Sequence, residues 1–318
     1  MKLMENHNET LFVLRNLLIV LVVHAVVLGA APFLFTWDAM LFSIATLFAF
    51  GVPMGIFHHM MLTHKSFKSV RWVEYLGSLL GTLTWRGPFA GPVRYVAMHR
   101  VHHAYSDTEF DPHTPDKGIW HALLAWFWRM PRGFTQPEYY DHYAKDISRD
   151  PWHRFLDRNV DLLQLIWGLI CFVGGGVGPM LIGASFDLEN AFRYVVFGVF
   201  VRTILTWYLI NLVDVLNHGL GYRNYETGDK STNSRLMSAI HWGGAVSWHN
   251  NHHAHPRYFS VKKQWWEFDV YLQILRIGER LGLISDIKVL DESGTHPIQI
   301  GDIEMPEEET PTQKKIAR

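Results

Sequence analysis

The chain has 318 residues, with 29 Lys and Arg against 30 Asp and Glu, a formal net charge of −1, and 48% hydrophobic residues. That balance excludes the basic surface that nucleic-acid binding needs, so no nucleic-acid partner is expected. One cysteine, Cys171, excludes an internal disulfide, and long uncharged apolar runs point to an integral membrane protein.

In chain order, residues 11–35 and 40–57 form the first two apolar stretches near the roughly 20 residues that cross a bilayer. Residues 1–10 lack a basic run, so 11–35 reads as a retained helix rather than a cleaved signal. A polar stretch, 58–159, follows. Its short apolar segments at 73–85 and 119–130 carry Trp85, Trp120, Trp126 and Trp128, which suits helices lying in the membrane interface. Spans at 160–182 and 194–216 come next, then residues 217–290, including an amphipathic run from Trp265 to about Leu283 that reads as a helix over the site described below. The tail, 291–318, is polar and contains proline.

Residues 65–158 contain thirteen Lys or Arg, whereas the connections 31–38 and 183–193 contain one between them. The positive-inside rule therefore puts the long loop and both termini in the cytoplasm, which for a bacterial chain means the inner membrane. The expected fold is all-α: one membrane domain, residues 1–290, with four transmembrane helices and a cytosolic helical cap formed by 58–159 and 217–290.

Three histidine clusters lie beside these spans: His59-x4-His64, His99-x2-His102-His103 and His249-x2-His252-His253. Residues four apart lie about 40° apart around an α-helix, so His99 pairs with His103 and His249 with His253. His102 and His252 sit about 100° from their neighbours and must point elsewhere. Two metals satisfy this pattern if each i,i+4 pair holds one ion and each odd histidine reaches the ion of the other cluster. His59 and His64, five apart, would need a helix end. Imidazole suits zinc, copper, iron and nickel, so ligand type alone does not name the metal. A lone histidine on an apolar face is usually a core residue; three clusters together reverse that expectation.

The order and content of these clusters resemble the membrane fatty acyl desaturases, particularly the acyl-CoA delta-nine type. Matching segments include Leu62-Thr63-His64-Lys65-Ser66-Phe67-Lys68, Met98-His99-Arg100-Val101-His102-His103 with Asp107 and Asp111 following, Tyr225 to Asn233, Trp248-His249-Asn250-Asn251-His252-His253, and Gln264-Trp265-Trp266-Glu267. The resemblance implies a di-iron site in the cap. Its first iron would take His59, His64, His99, His103 and His252; its second would take His102, His218, His249 and His253. Where the family usually has an asparagine meeting the second iron through water, Asp214 stands, able to bind directly or to accept the same water. Met60, Tyr95 and Val246 also depart from the family pattern.

By the same resemblance, the two irons, O2 and two external electrons would introduce a cis double bond into an acyl chain presented by coenzyme A or a lipid. A cytochrome-type or ferredoxin partner would supply the electrons. Trp85, Tyr95 and Trp248 are candidate walls for the chain, and Arg94 and Arg100, with Lys65, Lys68 and Arg71, candidate head-group contacts; ordinary packing and phospholipid-facing charge are the competing readings. His58, His113 and His255 are candidate partners for the ligands. Arg202, inside the fourth span, has no readable partner. A histidine-box hydroxylase or ketolase acting on an alkane, sterol or carotenoid would leave an alcohol instead of an alkene. A metal transporter or storage protein would move metal without consuming oxygen.

Overall fold

A computed structural model describes residues 2–129 and 137–290. Four helical runs are long and apolar enough to cross a membrane: Glu9–Ala30, Trp37–Thr63, Val160–Ile182 and Leu188–Asn217. The first belongs to α1 (Lys2–Ala30), which stops before the expected residue 35 because Pro32 cannot continue the hydrogen-bond ladder. The fourth starts at Leu188 rather than 194: Asp187 caps it, its Oδ1 accepting from Asn190 N at 2.9 Å.

The second run changes register. Helix α2 (Trp37–Pro53) continues as a π-helix, Met54–Thr63. The break falls at Pro53, which lacks the N–H that α-helical bonding requires, and the wider i→i+5 register takes over from there.

The cap is built from short helices. α3 (Arg71–Thr82), α4 (Pro92–Tyr105), α5 (Ile119–Leu123), α6 (Pro137–Tyr143), α7 (Lys145–Ser148) and α8 (Pro151–Arg158) lie between the second and third spans. The third span is α9 (Val160–Val177) with a 3-10 extension; the fourth is α10 (Leu188–Val195), a π-helical turn Val196–Val201, and α11 (Arg202–Asn217). α12 (Arg235–His241), α13 (His249–Ala254) and α14 (Val270–Arg280) complete the cap, and β1 (Lys68–Ser69) pairs antiparallel with β2 (Ile284–Ser285). Trp265 to Asp269 is not helical, so the covering helix is shorter than its amphipathic run. The tail 291–318 lies outside the described residues.

One expected interfacial helix is corrected. Within 119–129, α5 ends at Leu123 and a 3-10 turn, Ala125–Phe127, follows, with Leu124, Trp126 and Phe127 almost wholly buried. Trp126 stacks on Phe89 at 5.3 Å between ring centroids. An apolar run that short looks the same in sequence whether it faces lipid or core; here Ala122, Leu124, Trp126 and Phe127 are core, while Ile119 and Trp120 stay exposed.

Arg202 finds its partners in the bundle. Fully buried, it donates to Gly198 O, Thr84 O and Gln164 Oε1, tying the fourth span to the third and to the end of α3. Gly198 is needed at this crossing, since an added Cβ would lie 2.6 Å from Phe42 and 2.8 Å from Cys171 Sγ. Cys171 is thus a packing residue.

Candidate metal centre

Four elements bring the histidines together at one end of the bundle. The π-helix carries His59 and hands the chain to His64, its C-cap. In that register a five-residue step is about one turn, so the two rings sit on one face, 5.0 Å apart. α4 carries His99, His102 and His103; α13 carries His249, His252 and His253; His218 caps the C-terminus of α11. α4 starts where Gly91 lies against Asp157, whose Oδ1 accepts from Arg94 N; a Cβ at Gly91 would fall 2.3 Å from that oxygen.

The rings divide into two groups, each offering one nitrogen within 4.8 Å of the others: His59, His64, His99, His103 and His252, and His102, His218, His249 and His253. His252 and His102 do cross to the other cluster's group. Asp214 joins neither group. Its carboxylate lies 3.6 Å from Arg86 Nη2 and 3.5 Å from His113 Nδ1. Arg86 in turn donates to Asn211 Oδ1 and packs over Tyr95 and Trp126.

Nitrogen faces nitrogen in both groups. Nε2–Nε2 distances are 3.0 Å for His59–His252, 3.1 Å for His99–His103 and His218–His249, and 3.2 Å for His103–His252. His218 donates its Nδ1 proton to Asp107, at 2.9 and 3.0 Å, so in the neutral ring its Nε2 carries a lone pair aimed at His249. The buried Nε2 atoms of His64, His102 and His253 have no hydrogen-bond partner. Converging lone pairs repel unless a cation sits among them. Two metal–imidazole bonds of about 2.1 Å at right angles span about 3.0 Å, the spacing seen here. The donor set fits two metal ions.

Burial first, then the neighbouring rings, hold His64, His99, His103, His249 and His252 well below the ordinary imidazole value. All five are neutral donors in the physiological range. Burial lowers His253 to about 4 against the opposing bond from Asp229. Burial pulls His102 down most strongly, but the Asp111 carboxylate together with Asp214 and Asp107 outweighs it and the ring ends above its ordinary value.

Three carboxylates orient the second group. Asp107 holds His218; Asp111 holds His102 Nδ1 at 3.1 Å; Asp229 holds His253 Nδ1 at 2.6 Å. Asp107 also accepts from Lys230 N, Asp111 from Asp107 N, and Asp229 from Ser231 N, so the carboxylates are themselves fixed by backbone. Asp107 ends its turn at a φ of 61°, a conformation Asp tolerates better than most residues. Asp229 and Glu267 were legible only as parts of a matching motif, without a role. Glu267, fully buried, accepts from Tyr222 Oη, Asn224 Nδ2, Asn251 Nδ2, Lys263 N and Gln264 N, clamping Asn251 in α13. Asn250 accepts from Asn224 N and Tyr225 N, pinning the loop that carries Asp229. Among the flanking histidines, only His113 packs on a ring of either group, 4.4 Å from His102; His58 Nε2 donates to Ser78 O of α3, and His255 packs on Tyr225.

An apolar pocket reaches both groups. Its inner wall includes His59 and His99 of the first and His249 of the second, beside Arg86, Tyr95 and Asp214. It runs outward between half-exposed Leu47, Phe48 and Gly51 of α2 and Leu209 of α11. Of the expected wall and head-group residues only Tyr95 lines it. Trp85 and Trp248 pack elsewhere, Trp248 donating to Phe268 O. Arg94 pairs with Asp157 and Arg100 with Asp146.

Residues 35–276 match the family model described as fatty acid desaturase. The chain belongs to that family. It is similar to an sn-1 stearoyl-lipid 9-desaturase of Anabaena variabilis, 33% identical over 243 residues, 76% of this chain and 80% of the relative. An sn-2 palmitoyl-lipid 9-desaturase of Nostoc sp. (strain 36) is 32% identical over 84% of this chain and 87% of the relative. Acyl-CoA 5-desaturase AL21 of Anemone leveillei is 31% identical over 83% and 76%. Desaturase membership makes the protein an oxidoreductase, and its four apolar helices make it a membrane protein.

Proposed function

We propose that this desaturase introduces a cis, delta-nine-type double bond into a saturated acyl chain, converting the chain, O2, two electrons and two protons into the alkene and two water molecules. The supporting observation is one apolar pocket whose inner wall carries histidines of both groups. In this reading the first group holds one iron and the second another, and the pair supplies the reduction of O2 that hydrogen removal from unactivated methylenes demands. The chain's own residues bind and orient. Leu47, Val52, Ile56, Leu209 and Val213 hold the methylenes and exclude water, so the distance the chain slides inward selects the bond. Electrons come from a separate cytochrome-type or ferredoxin donor.

The site faces the cytoplasm, with both termini on that side, in a bacterial inner membrane. Four spans return the chain to its starting side, and thirteen basic residues lie in 65–158 against one in the short connections. The sequence resemblance points to acyl-CoA, but two features favour an acyl group on a membrane lipid. Lys65, Lys68, Arg71, Arg94 and Arg100 are each engaged by a carboxylate within 3.3 Å, so each would exchange an ion pair to meet coenzyme A phosphates, although Lys68 and Arg71 stay mostly exposed. The pocket's outer residues also lie within the spans, at bilayer depth.

The test is expression in a desaturase-deficient host, with mass spectrometry of double-bond position, followed by purified enzyme supplied with O2 and a reduced ferredoxin or cytochrome donor and offered stearoyl-CoA or stearoyl-lipid vesicles. A delta-nine alkene formed in the lipid arm is expected. An alcohol would overturn desaturation; product confined to the coenzyme A arm would overturn the lipid carrier.

A further inference from the structure

The two histidine groups differ in what surrounds them. Three of the four rings in the second group rest on a carboxylate: His102 on Asp111, His218 on Asp107 and His253 on Asp229. None of the five rings in the first group has a carboxylate within 4.0 Å among the described residues. The charged groups nearest them are Arg100 and Arg86, each paired away from the rings with its own carboxylate, Asp146 and Asp214. Arg100 donates to Leu62 O and Thr63 O, immediately before His64. Arg86 lies 5.7 Å from the ring of Tyr95, which stacks on His99 at 5.7 Å.

A divalent ion in the first group would be held by five neutral rings with no nearby counter-charge. One in the second would be held by fewer rings, but three of them are made more basic and locked in orientation by anions. Carboxylates behind metal-bound histidines typically change affinity by about 10–100-fold each. Resting on the two-metal reading above, we propose that the two positions are unequal: the second group fills first and releases its ion last, and the first group is the exchangeable position. Asp107, Asp111 and Asp229 act as positioning residues for this order.

Anaerobic titration of full-length apoprotein in detergent with Fe(II), with bound iron counted under graded chelator competition, tests the order without any turnover. Wild type is expected to take two ions in two steps at least about tenfold apart. D229N is expected to weaken only the tight step, by about 10–100-fold, and D107N, on an independent carboxylate at a position where Asn is equally tolerated, to move the same step. H64Q is expected to weaken only the loose step. Two ions bound in one indistinguishable step would overturn the inequality, as would aspartate variants that move the loose step. Fewer than two ions at saturation would overturn the two-metal reading itself, a different result.

Discussion

Asp214 is expected to serve as the counter-ion of Arg86, and removing either charge alone should cost more than removing both. The two side chains are 4% and 9% exposed and lie 3.6 Å apart. At an effective dielectric constant of about 20 their attraction is about 4–5 kcal/mol, close to the roughly 3–5 kcal/mol lost when one partner of a buried pair is deleted. D214N leaves the guanidinium between Tyr95, Trp126 and Asn211 with no anion; R86M leaves the carboxylate with only His113. Each single variant should lose about 3–5 kcal/mol, whereas R86M/D214N, with no charge left to bury, should recover at least about 2 kcal/mol of the summed loss. Denaturant unfolding of the apoprotein in one fixed detergent, for the four members of the cycle, measures this coupling. Bound iron is counted in parallel. Additive losses would refute the pairing. If D214N lost one ion whatever occupied position 86, Asp214 would be a ligand, the alternative its position first suggested.

Gly51 lines the pocket and a Cβ there meets nothing within 4 Å, so G51L should shorten the accepted chain while adding roughly 0.5–1 kcal/mol of helix propensity; an unchanged chain-length profile of products would refute the pocket as the acyl channel. Burial pushes the Asp269 carboxyl up from 3.8 to about 6. Between those values the folded chain keeps a proton that the unfolded chain has released, so stability falls as pH rises through that window, by about 3 kcal/mol. D269N keeps the cap on Leu272 N and removes the titration: its melting temperature should match wild type at about pH 4 and exceed it at about pH 7, and an equal difference at both would refute the assignment. E267Q turns an acceptor of five donated bonds, two on Oε1 and three on Oε2, into a group that must set its own N–H₂ against at least two of them. At about 1.5–3 kcal/mol per bond to a charged acceptor, the loss should exceed about 3 kcal/mol and release iron below the temperature of global unfolding; full iron retention would show that Asn251 does not depend on Glu267.

What could be read from sequence was whatever depends on helix period. His99 with His103, and His249 with His253, follow from 3.6 residues per turn, and the crossing of His102 and His252 follows from the angle left over. The all-α membrane fold followed from four apolar runs. The rest depends on contacts between distant residues or on a change of period. His59 and His64 meet at the helix end their spacing requires, His64 being the C-cap, but the π-helix that brings their rings to one face is a register no propensity announces. Trp126 and Phe127 looked interfacial because composition does not say which apolar surface a short segment meets. His218 has no cluster around it; its place comes from the end of α11 and from Asp107, 111 residues earlier in the chain. Arg86 meets Asp214 across a still longer separation, and Asp229 reaches His253 from a loop that Asn250 pins. Periodicity therefore decides which rings share a face, while anions brought in from elsewhere decide how firmly each face holds a cation. A chain that kept the nine histidines of the two groups but lost Asp107, Asp111 and Asp229 would keep the pattern read from sequence and lose the difference between the two positions.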